Sequence, residues 1–187
     1  MTREIIINEI LIPSLQKLYK VDYDNIKMDV SERNICARLA LHIENRMRKY
    51  DRDNDKKEFR KYYADVEYNR MNNGDVKHYE NSKKVRLKMV SDLLIQSRSI
   101  KPNYLALELK KKKNKDERDE NRDRLSSLVE PTGSDDCVHG TLVGAFVIYS
   151  PDDVVIELYE NVNGIGEKIP ENIEMIYDKV RKELLYD

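Results

Sequence analysis

Long hydrophobic runs, cysteine, histidine and glycine are all scarce in this chain of 187 residues. The longest apolar stretches, residues 5–7 and 145–149, fall far short of the roughly 20 residues a helix needs to cross a bilayer, so no membrane span is expected. The start, Met1-Thr2-Arg3-Glu4, leads into a very short apolar run and then Asn8 and Glu9, without a small-residue cleavage site. A cytoplasmic location is the expectation. Cys36 and Cys137 are about a hundred positions apart and lack the paired spacing of a zinc knuckle or a redox dithiol, so both are expected to be reduced and structural. His42, His78 and His139 fall on unrelated segments with no metal-ligand spacing. Gly164 and Gly166 are not followed by the Gly-Lys-Ser/Thr ending of a phosphate-cradling loop, which speaks against ATP use. Internal repeats and a heptad seam are also lacking, and nothing in the pattern fixes an oligomeric state.

What is present is charge. Charged residues make up 37% and hydrophobic ones 40%, which suits a wet surface around an adequate core, and the length suits a single domain. The formal net charge of -1 conceals an asymmetry. Residues 77–118 carry 13 Lys and Arg against 5 Asp and Glu, whereas residues 130–187 carry 4 against 13. The middle is basic and the tail acidic.

Residues 3–19 read as a helical arm interrupted at Pro13. Ser31 is placed to cap a helix over 32–49, in which Ile35, Leu39, Ile43 and Met47 recur every four residues. Residues 64–68 alternate like a strand, and Asn72-Asn73-Gly74 marks a turn. Two further strands, over 85–95 and 104–110, form a hairpin. Composition then favours a helix over 111–128, two strands over 141–149 and 154–159, and a closing helix over 171–185.

In a strand, side chains two apart share a face, so Tyr104, Ala106, Glu108 and Lys110 point one way and Leu105, Leu107 and Leu109 the other. Asp92, late in the preceding strand, can converge with Glu108 where the hairpin bends. Two carboxylates there form an oxygen site suited to Mg²⁺ or Mn²⁺. Glu32 precedes Ile35 by three and Leu39 by seven positions, which sets it on the apolar stripe of its helix, whereas Glu44 lies off it. Lys111, Lys112 and Lys113 directly follow the strand, and Arg98 and Lys101 occupy the hairpin connector. All five are candidates to track a phosphate backbone.

The segments Ser91-Asp92-Leu93-Leu94-Ile95 and Leu105-Ala106-Leu107-Glu108-Leu109-Lys110 resemble the PD-(D/E)XK nuclease superfamily, over residues 32–149. The motif's usual proline is Ser91 here, at a position that shapes backbone rather than binding metal. Asp65-Val66-Glu67-Tyr68-Asn69-Arg70, and the pair Arg98 and Asp123-Arg124-Leu125, are also similar to segments of small members of that superfamily. The resemblance implies an α/β fold with a restriction endonuclease-like αβββαβ core, a mixed central sheet flanked by helices. Residues 1–31 would be an N-terminal arm, 32–149 the core, and 150–187 a C-terminal strand and helix. It further implies metal-dependent hydrolysis of phosphodiester bonds, with DNA the leading polymer, in restriction, repair or defence. In that reading Asp92 and Glu108 ligate the metal, the Leu109 carbonyl completes its shell, Lys110 orients the attacking water, and Glu32 adds a ligand through water or at a second metal. Many such nucleases act as homodimers. The competing expectation is a catalytically inactive nucleic-acid-binding or protein-interaction module on the same fold, its acidic tail docking a partner.

Overall fold

The computed structural model of the chain describes residues 1–67, 90–97, 102–130 and 140–186 in full and residues 78–80 and 86–88 as backbone. Arg98 and Lys101, the turn over 72–74, Cys137 and His139 lie outside the described residues.

The arm begins with a π-helical segment, Ile5–Leu11, that runs directly into α1 (Ile12–Val21). Pro13 sits in the first turn of α1, where a missing N–H leaves no helical bond unmade. The proline expected to interrupt the arm instead opens its second half. After α2 (Tyr23–Lys27), α3 spans Glu32–Asp53. Its N-terminus is capped as the sequence suggests: the Ser31 hydroxyl accepts the Asn34 N–H at 3.3 Å. Ile35, Leu39, Ile43 and Met47 are all fully buried, so the four-residue stripe is the face α3 turns to the core.

The strands are β1 (Tyr63–Val66), β2 (His78–Glu80), β3 (Arg86–Lys88), β4 (Leu93–Gln96), β5 (Leu105–Lys111), β6 (Val143–Tyr149), β7 (Asp153–Val162), β8 (Ile165–Lys168), β9 (Ile173–Asp178) and β10 (Glu183–Tyr186), with α4 (Arg118–Val129) between β5 and β6. Eight of them form one mixed sheet in the order β1-β4-β5-β6-β7-β9-β10, with β8 pairing β7, while β2 and β3 pair separately. β4 lies antiparallel to β5, with Leu93 opposite Leu107, and β6 lies parallel to β5. The protein is therefore α/β.

The strand alternation sorts the core into two layers. Leu93, Leu105, Leu107 and Val147 pack with Ile35 and Leu39 of α3 and with Leu11 and Leu15 of the arm. On the opposite face Leu94, Ala106 and Phe146 pack with Leu125 and Leu128 of α4. The outermost strands of the sheet each meet a helix side chain: Glu44 Oε1 accepts the Ala64 N–H of β1 at 3.2 Å, and Gln16 Nε2 donates to the Leu184 carbonyl of β10 at 3.2 Å.

Three expectations are corrected. The single strand expected over 85–95 is two, β3 and β4, in different sheets. The closing helix expected over 171–185 is the hairpin β9–β10: Met175 and Tyr177 are buried while Glu174 and Ile176 face outward, and backbone pairing with β7 outweighs the helical preference of Lys-Glu-Leu-Leu. The helix expected from residue 111 starts at Arg118, because β5 continues through Lys111 and the Lys112 N–H donates to the Tyr149 carbonyl at 2.7 Å.

β8 lies so close on α4 that a Cβ built at Gly166 meets the Ser126 carbonyl oxygen at 1.9 Å. The neighbouring atom is backbone and cannot give way cheaply. Gly166→Ala is expected to cost more than about 2 kcal/mol in urea denaturation, and an unchanged midpoint would show that the contact is not as close as described.

Candidate active site

The four residues singled out in the sequence gather at one end of the sheet, but on two sides of it. Asp92 stands immediately before β4 and Glu108 within β5, both in phase with the α4-facing residues Leu94 and Ala106. Glu32 is the first residue of α3, beneath the opposite face, and Lys110 reaches from the end of β5.

Asp92 is held by its backbone surroundings. One carboxylate oxygen, Oδ2, accepts the Leu109 N–H at 2.7 Å, so the side chain carries the β4–β5 connection past the last registered pair. Its carbonyl accepts the Glu67 N–H at 3.1 Å and the Cys36 thiol at 3.1 Å. Cys36 is buried and reduced, as expected, and burial raises its thiol pKa far above the usual range. Leu109 thus meets Asp92 through its amide.

Glu108 is 1% exposed. Its Oε2 accepts from Arg124 Nη1 of α4 at 2.9 Å, and the same guanidinium nitrogen donates to the Val90 carbonyl at 3.0 Å. The other oxygen, Oε1, is buried with no hydrogen-bond partner among the described residues. Burial, and then repulsion from the Asp92 carboxylate, push the Glu108 pKa up to about 8, against the opposing pull of Arg124. Burial likewise raises Asp92, with the Leu109 N–H and Arg124 working the other way.

Burial works against the charge on Lys110, yet Glu32 and Glu117 outweigh it and hold the ammonium above its ordinary value. Lys110 Nζ lies 3.7 Å from Glu32 Oε2 and 3.2 Å from Glu117 Oε2. Glu32 Oε1 accepts both the Lys111 N–H and the Asn114 side-chain amide at 2.9 Å. Glu32 meets the end of β5, whereas Glu44 meets β1. Lys111 pairs with Asp29 at 2.9 Å, Lys113 pairs with the same carboxylate, and Lys112 pairs with Asp153.

The donor set suits a hard divalent cation held by two carboxylates and water. The buried, unpartnered Oε1 of Glu108 is the observation that fits such a cation. Among the described residues no group of three or more His, Cys, Asp or Glu gathers about one point, and the contacts of Glu32 run to Lys110, Lys111 and Asn114.

Sequence reasoning placed Arg124 only within a segment resemblance, gave it no role, and missed Arg122. Arg124 neutralises Glu108, and Arg122 grips Glu157 of β7 with Nε at 2.9 Å and Nη2 at 2.8 Å. The two glutamates lie on one face beneath one helix, yet they shift in opposite directions. The hydrogen bonds from Arg122 hold Glu157 below its ordinary value, while Glu108 has a single bond and a like charge nearby. The signal was available: Arg124 precedes Leu128 by four and so shares its buried face. His42 is buried with its Nε2 2.6 Å from Asp22 Oδ2. Tyr62 is stacked on Tyr104 with ring centroids 3.9 Å apart. Comparison with family models, curated proteins and solved structures finds no match to this chain.

Because the Glu108 pKa is raised on folding, the folded state binds more protons than the unfolded state between the ordinary carboxylate value and about 8. Its contribution to stability is complete at acidic pH and is lost as pH rises through that window. From pH 5 to 8.5 the parent should lose on the order of 1–3 kcal/mol relative to Glu108→Gln in urea denaturation. Parallel pH profiles for the two proteins would remove the burial argument.

Proposed function

We propose that the chain is a divalent-metal-dependent nuclease of the PD-(D/E)XK type that hydrolyses phosphodiester bonds, with DNA the leading substrate. The observation that carries the reading is the unpartnered Oε1 of buried Glu108 beside Asp92, on a strand that also carries Lys110. Burying a carboxylate oxygen with no donor for its lone pairs is costly and is sustained where a ligand completes it. The chain order α3, β1, β4, β5, α4, β6, with those four strands adjacent in the same order in the sheet and only β6 parallel to its neighbour, supports a restriction endonuclease-like core.

Asp92 and Glu108 would hold Mg²⁺ or Mn²⁺, which when bound supplies an acidified water and charge relief at the scissile phosphate. The Leu109 N–H fixes one oxygen of Asp92 and so sets the direction of the other. Lys110 stays an ammonium, which suits it to orient a water or offset phosphate charge rather than to accept a proton. Glu32 positions Lys110 and, through the Lys111 N–H, the end of β5 itself.

A second reading, an inactive module on the same fold, is favoured by the Arg124–Glu108 ion pair, which already balances the buried charge. One experiment separates the two. Purified protein incubated with plasmid, single-stranded DNA and RNA should cleave with Mg²⁺ or Mn²⁺ and not with chelator. Asp92→Asn and Lys110→Ala should each lower the rate by at least about 100-fold while leaving thermal unfolding close to the parent's. Cleavage that persists in chelator or in both variants would falsify this assignment, and metal-independent binding without cleavage selects the inactive module.

A further inference from the structure

The end of the sheet that carries Glu108 and Lys110 also carries a cavity of about 610 Å³, bounded by the α1–α2 junction, the β6–β7 turn and the β9–β10 turn. Lys20, Lys27, Lys179 and Lys182 line it, with Asp24 and Asp152. Lys20 pairs with Glu183 at 3.2 Å and Lys179 with Asp152 at 2.9 Å. Lys27 and Lys182 have no ion pair among the described residues. One wall is aromatic: Tyr23 is stacked on Tyr177 with centroids 4.2 Å apart and planes 16° from parallel. Tyr177 is buried and in turn meets Tyr19 at 5.7 Å, which leaves Tyr23 as the half-buried outer member.

The cavity lies at the same end of the sheet as the candidate active site. Pro151 and Asp152 lie in the turn after β6, and the last residue of β6, Tyr149, is registered opposite Lys111. β5, β6, β7 and β9 are consecutive neighbours, so the path from Lys110 to the cavity crosses three strand spacings, about 15 Å. Lys111, Lys112 and Lys113 lie along it, paired with Asp29 and Asp153. Ion pairs at a surface contribute little and are screened by salt, so a phosphate can compete for these lysines.

We infer that this cavity receives a single-stranded segment of nucleic acid, its phosphates following Lys111 to Lys113 and then Lys27 and Lys182, with a base set against the Tyr23 ring. The inference rests on the nuclease reading of the neighbouring site. Single-stranded substrate is specified by shape and chemistry together. The volume suits a nucleotide and not a duplex, and an aromatic wall offers its π-face to an unpaired base, whereas bases within a duplex already stack on one another.

The test is fluorescence anisotropy with a labelled oligothymidylate of roughly 12 nucleotides and with a duplex of equal length, in chelator so that nothing is cut, across a salt series. The doubly substituted Lys27→Glu/Lys182→Glu protein should bind the single strand at least about tenfold more weakly, and its slope against log salt should flatten by about 1–2. Tyr23→Leu should lose about fivefold or more with the slope unchanged. Lys57→Glu/Lys61→Glu, beyond the far end of α3, should bind as the parent does. Equal loss in both lysine pairs, duplex binding as tight as that of the single strand, or displacement by an equal concentration of thymidine monophosphate overturns the inference. Metal-dependent cleavage with unchanged binding in Lys27→Glu/Lys182→Glu overturns it while the nuclease reading stands. Strand binding that depends on Lys27 and Lys182 in a protein that never cleaves does the reverse.

Discussion

The ladder between β5 and β6 runs parallel from Leu105 opposite Val143 to Lys111 opposite Tyr149, and much of the molecule follows from it. Parallel strands cannot be joined by a tight turn; the chain must cross back over a face of the sheet before the second strand begins. Here α4 lies within that crossover and lands on the face to which Glu108 and Glu157 point. The helix that topology requires therefore also delivers the two arginines that make those buried carboxylates tolerable. The same ladder sets the end of β6 beside the end of β5, so the turn after Tyr149 comes to lie against the lysines after Lys110.

Charge in this protein is arranged by depth. Near the surface, lysines at the end of β5 pair with Asp29 and Asp153 in contacts that solvent can loosen. Deeper, Arg122 and Glu157 form a two-pronged pair with both partners' hydrogen bonding well used. Deepest is Glu108, with one arginine contact, a second carboxylate nearby and one oxygen unanswered. A site that is to take up a cation needs this last kind of arrangement, because a fully satisfied carboxylate has nothing left to offer.

Much of this was legible in the sequence wherever a period was strong. The two-residue alternation assigned Leu105, Leu107 and Leu109 to one layer and Ala106 and Glu108 to the other as found, but failed at Tyr104, which precedes β5 and packs on Tyr62 and Phe59 in the α3 layer; the Ser31 cap with the Ile35-to-Met47 stripe set the start and face of α3. Segments whose composition and pairing disagree were not legible. The tail from residue 171 contains good helix formers, yet its conformation is decided by β7, a partner distant in sequence. The Arg124–Glu108 contact was hidden for a related reason: it joins a strand to a helix across sixteen positions, and nothing local to either residue names the other.

The hydrogen bonds that Glu44 and Gln16 make to the outermost strands have a consequence for how copies of the chain meet. An open sheet ends in rows of backbone groups able to extend it with a neighbour's strand, the route by which folded proteins assemble into fibrils. Here a backbone N–H of β1 and a carbonyl of β10 are already taken by side chains of α3 and α1. Strand-to-strand growth must first displace those side chains from their own sheet. At these two positions the helices cover the edges of the sheet as well as its face.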